Sequence, residues 1–166
     1  MDIEQNFLML IEQIIKLFTA FFNKTLILAC SAQIASMIAK FVINSIKNRK
    51  ITVKEMASYG GMPSSHTTFI MAYVFGVALD PKIGWTSEIL TFGIVVSAMI
   101  LMDTIRFRGT VDKINEQTRK LLEKTGNTDI IMPKYIAHKA SEVVGGIIFA
   151  FLYTFTFYLF FYNLFP

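Results

Sequence analysis

Residues 25–46 read TLILACSAQIASMIAKFVINSI. Wound as a helix at about 1.5 Å per residue, this run covers the roughly 30 Å hydrocarbon core of a bilayer. It contains no proline and no glycine to stop a helix, and Lys40 is its single charged residue. Gln33 and Lys40 stand seven apart and therefore share a face. Polar groups at that depth are costly, so either they face a cavity or a partner helix, or Lys40 runs its stem toward the surface at the helix end.

Composition carries the same reading through the chain. Of 166 residues 54% are hydrophobic, sixteen are phenylalanine, and the mean hydropathy is +0.51. A soluble domain of this size has too little interior for that load, whereas a bilayer solvates every helix. The expected fold is all-α: one integral membrane helical bundle over residues 1–166, with about five apolar helices and a polar connection carrying a short helix. The single Cys30 cannot close an internal disulfide. Ile27 to Cys30 resembles a lipoprotein cleavage site, but the short apolar run and the acidic Asp2 and Glu4 do not suit an export signal.

The remaining segments follow from the same pattern. Phe7 to Phe22 forms an apolar helix with one polar stripe, Glu12, Lys16, Thr19 and Asn23, which suits the membrane interface, a neighbouring helix or self-association into a homo-oligomer. A third helix starts near Ser64 and runs to Leu79, shorter than a full span. Asp80 to Trp85 turns the chain, and a fourth helix covers Ser87 to Ile105. Arg106 to Lys139 is the one long polar stretch, with a solvated helix from Asp112 to Lys124, and the last helix runs from Ser141 to Leu164. Because helices three and four form a hairpin, the segments before and after it lie on one side of the membrane, and both histidines share that side.

The chemistry concentrates in Gly60-Gly61-Met62-Pro63-Ser64-Ser65-His66. A helix start offers free backbone N–H groups and the positive end of a dipole, and Gly60 and Gly61 let the backbone approach an anion closely. Pro63 suits a first turn, and Ser64 or Ser65 can cap it. His66, placed beside such an anion, can protonate a leaving oxygen. His138 and Glu142 are spaced i, i+4, so that a helix would put the carboxylate where it fixes the imidazole tautomer, leaving the other nitrogen to attack phosphorus. Arg106 and Arg108, with Asp103 to orient one of them, can fork onto phosphate oxygens.

Together with Gln33, Lys40 and the glycines after Glu142, these residues resemble the divergent branch of the type 2 phosphatidic acid phosphatase superfamily, related to acid phosphatases and vanadium-dependent haloperoxidases. The resemblance covers about Gln33 to Gly146. It implies a metal-independent membrane lipid phosphatase with no cofactor. Its substrate would be a lipid phosphomonoester or pyrophosphate of the phosphatidate, phosphatidylglycerophosphate or polyprenyl phosphate type. His138 is then the nucleophile that forms a phosphohistidine, Glu142 its orienting carboxylate and His66 the acid, with Lys40, Ser64, Ser65 and an arginine holding phosphate. The chain departs from the pattern at Met132, where the superfamily usually has an arginine, and at Lys47, which lacks a following proline; either Arg106 or Arg108 is then the substitute. The competing reading is a non-enzymatic membrane lipid-binding, carrier or assembly protein. Membrane lipids are the expected surroundings and no nucleic-acid partner is expected. The cations around Lys47 to Lys54 and Arg106 to Lys139, set against Lys82 alone in the opposite turn, put the site on the cytoplasmic face of what the reading takes to be a bacterial inner membrane.

Overall fold

A computed structural model of the protein describes residues 3–21, 23–48, 61–126 and 139–161. Those residues are 88% helical and form no strand. The elements are α1 (Ile3–Phe21), α2 (Lys24–Asn48), α3 (Ser65–Leu79), α4 (Glu88–Met102), a π-helical turn at Asp103–Phe107, α5 (Arg108–Lys124) and α6 (Ala140–Phe161). Three helical rods are long and apolar enough to cross a membrane: α2, the continuous α4–π–α5 rod, and α6.

The distribution of side chains fits lipid outside and close helix contact inside. The buried residues are mostly small or hydroxylic, among them Ala29, Ala32, Ser36, Thr67, Thr68, Ala72, Ala150 and Thr154. Large apolar groups such as Ile38, Phe92, Met99, Phe151 and Phe160 are exposed. Small residues let backbones approach closely, which is how helices associate where solvent gives no hydrophobic drive.

Helix α3 is central. Ala32, Ala72 and Ala150 meet where α2, α3 and α6 join, and Val74, Val77, Ala78 and Leu90 close the α3–α4 seam. A β-carbon built on Gly76 would lie 2.7 Å from Leu28 Cδ2, and one on Gly146 would lie 2.8 Å from the Ser64 carbonyl oxygen. The Tyr158 hydroxyl donates to the Gly76 carbonyl at 2.7 Å. Both sets of contacts between α3 and α6 rise together along the two sequences, so these helices are parallel; α2 and α4 run antiparallel to α3. One end of the bundle thus gathers the C-terminal part of α2, the N-terminus of α3, the C-terminus of α4 and the N-terminus of α6.

Three boundaries differ from the sequence reading, the first being that α1 starts at Ile3, a turn before Phe7. Asn23 belongs to the start of α2 and not to the polar stripe of α1: its side chain accepts the Thr25 N–H at 2.8 Å and its carbonyl accepts the Ile27 N–H. The fourth helix does not end at Ile105. It continues through the π turn into α5 as far as Lys124, because no proline interrupts it and Gly109 alone costs only about 1 kcal/mol in a helix. Thr104 and Thr110 donate to the carbonyls of Ile100 and Arg106, which serves backbone groups across the junction.

Candidate active site

Residues 61–67 enter α3 as the motif suggests, with a defined division of labour. Ser64 is the N-cap: fully buried, its Oγ accepts the Thr67 N–H at 3.4 Å and the Thr67 hydroxyl at 3.0 Å. Pro63 precedes the cap, and Ser65 opens the helix half-buried. His66 follows, exposed in the first turn. Gly61 has φ +101, a conformation that side-chain-bearing residues rarely adopt, so the turn requires glycine there.

Helix α6 is stitched to this turn by one residue. Glu142 Oε1 accepts the Gly61 N–H at 2.9 Å, Oε2 accepts the Lys139 N–H at 3.3 Å, and the Glu142 carbonyl accepts the Ser64 N–H at 3.1 Å. The contact to Lys139 is the reach-back of a third-position glutamate to the residue that caps its own helix. Gly145 and Gly146 make the approach possible, since β-carbons there would meet Met62 Cγ at 2.7 Å and the Ser64 carbonyl at 2.8 Å.

Lys40 completes the cluster from α2. It is 5% exposed, which decides between the two readings its sequence position left open: the side chain turns into the bundle. A β-carbon on Gly61 would lie 3.1 Å from Lys40 Cε and 3.4 Å from Asn44 Nδ2, and the Glu142 carboxylate is the opposite charge felt by the Lys40 ammonium. Asn44 was not singled out in the sequence reading; its place one turn beyond Lys40, on the same face, is the signal that would have found it.

The hairpin brings the π turn to the same level. Gly93 packs against Tyr73, so nine residues back along α3 is Ser64 and nine forward along α4 is Met102. Asp103 and Arg108 pair across the turn at 3.5 Å. The α3-facing stripe of this rod is Leu90, Gly93, Ser97 and Thr104, all buried, and the Arg108 side chain, 30% exposed, continues it. Arg106 is exposed and lines a different surface with Ile105, Gly109, Thr110 and Lys113. Gly60, Met132 and His138 lie outside the described residues. Helix α6 starts at Ala140, with Lys139 at its cap. Among the described residues no cluster of histidine, cysteine and carboxylate groups has the makings of a metal site.

Three spans long and apolar enough to cross a bilayer, gathered round α3, make this a helical membrane protein. The chain belongs to the Divergent PAP2 family, whose model matches residues 21–153. No curated protein and no solved structure matches it.

Proposed function

We propose that the protein is a metal-independent lipid phosphate phosphatase, acting on a phosphomonoester or pyrophosphate whose tail stays in the bilayer. The observation that carries this reading is the meeting of Lys40, the Gly61 turn and Glu142 at the start of α3, whose first turn carries His66, in a chain of this family. His138 attacks phosphorus and the bond to the lipid oxygen breaks, His66 giving that oxygen its proton. Lys40 and Arg108 brace the phosphoryl oxygens as charge develops. Water, deprotonated by His66, then attacks the phosphohistidine and releases inorganic phosphate. Arg108 is preferred to Arg106 because it continues the α3-facing stripe. The expected setting is a bacterial inner membrane with the site facing the cytoplasm.

A second reading has one observation in its favour. Glu142 already occupies the Gly61 N–H that a phosphate would use, and it supplies Lys40 with a counter-charge. A chain whose own carboxylate fills the anion position suits a non-enzymatic lipid-binding, carrier or assembly protein.

Phosphate release by the purified full chain from a panel of phosphatidate, phosphatidylglycerophosphate and polyprenyl phosphates separates the two. The phosphatase reading expects turnover of at least one lipid. It expects His138→Ala and His66→Ala to fall by at least about 100-fold, in the range of general acid–base and nucleophile losses, while melting as the parent does. No release from any lipid by folded parent protein overturns it.

A further inference from the structure

The outward face of the π turn and the first turns of α5 carries an open cleft of about 390 Å³, lined by Ile105, Arg106, Gly109, Thr110 and Lys113. We infer that this cleft binds the headgroup of an anionic membrane phospholipid, at a site separate from the histidine chemistry and independent of it.

Charge is the first argument. Arg106 and Lys113 have no ion-pair partner among the described residues, whereas nearby Arg108 is paired with Asp103 and Lys120 with Glu116. Two unpaired cations on one cleft offer a guanidinium fork and an ammonium to a phosphate group. The Thr110 hydroxyl donates to the Arg106 carbonyl at 3.1 Å and keeps its lone pairs for a headgroup hydroxyl.

Position is the second. Thr104 is buried on the side of the rod that packs against α3, while Ile105, Arg106, Thr110 and Lys113 are exposed on the opposite side. The cleft therefore faces away from Ser64 and Glu142. It begins where the apolar α4 gives way to the charged α5, with exposed Ile105 in its lining and exposed Met99 and Met102 preceding it along the rod. An apolar border below two cations matches a lipid, tails beneath and phosphate above, better than free phosphate. The nearby anionic leaflet adds its own attraction for juxtamembrane cations.

The test uses full chain in nonionic detergent, titrated with short-chain phosphatidylglycerol and read by native mass spectrometry. That lipid is a phosphodiester with no terminal phosphate to remove, so retention does not depend on the proposed phosphatase activity. Joint Arg106→Ala and Lys113→Ala substitution is expected to weaken retention about 30-fold, from two cations near a membrane surface. Joint Lys82→Ala and Lys124→Ala substitution removes the same charge away from the cleft and should leave retention within about twofold, since exposed charges far from the ligand are screened. Gly109→Leu, whose β-carbon would meet nothing within 4 Å, should fill the cleft and weaken retention with both cations present. Equal loss in the Lys82 and Lys124 pair, equal retention of phosphatidylcholine, or displacement of the lipid by an equal concentration of inorganic phosphate overturns the inference. So does unchanged retention in the Gly109→Leu variant.

Discussion

At the scale of single residues, two neighbouring glycines do different work that one substitution distinguishes. Alanine at Gly146 would drive a methyl group within 2.8 Å of the Ser64 carbonyl and 2.9 Å of Thr67 Cβ, both held by capping bonds. Alanine at Gly145 meets only the Met62 side chain, which has rotamers to spare. Gly146→Ala should therefore destabilise the detergent-solubilised protein by about 1–3 kcal/mol and Gly145→Ala by less, measured as loss of melting temperature. Equal losses would mean that the α3–α6 seam is not as close as described. Glu142 depends on the same closeness, because its carboxylate reaches Gly61 only when α6 sits against the α3 cap.

At the scale of elements, α3 is tied to α6 at both ends. The Ser64 N–H reaches the Glu142 carbonyl at one end, and the Tyr158 hydroxyl reaches the Gly76 carbonyl at the other. Tyr158→Phe removes the second tie and should cost about 0.5–1.5 kcal/mol in equilibrium unfolding, with the helical content of the folded state unchanged. Neither tie is visible in the sequence, since their partners stand 78 and 82 residues apart and α3 is apolar all round, with no stripe to say which side meets which neighbour. The spans themselves were legible, because length and apolarity decide them and 25–46 has both. The α4–α5 junction was not: charge after Ile105 resembles a loop, yet backbone hydrogen bonding continues through charged residues when no proline intervenes. The glycine turn and the Ser64 cap were legible from local chemistry. The place of Asn44 beside them was not, because it depends on how α2 crosses the turn.

At the scale of the whole molecule, the charged end and the Asp80–Ser87 end are expected to face opposite sides of the membrane. Cysteine placed singly at Lys82 or Lys113, in a Cys30→Ala background, should report this through a membrane-impermeant maleimide applied to intact cells. Lys82→Cys is expected to label and Lys113→Cys only after permeabilisation; the reverse pattern would turn the proposed orientation over. The parallel pairing of α3 with α6 also bears on how the protein is made. The Gly61 turn leaves the ribosome long before Glu142 is synthesised, and until α6 has entered the membrane the turn has no carboxylate to close against. Assembly of that end is therefore a late, post-insertion event, and a nascent chain halted after α5 would hold the motif without the residue that shapes it.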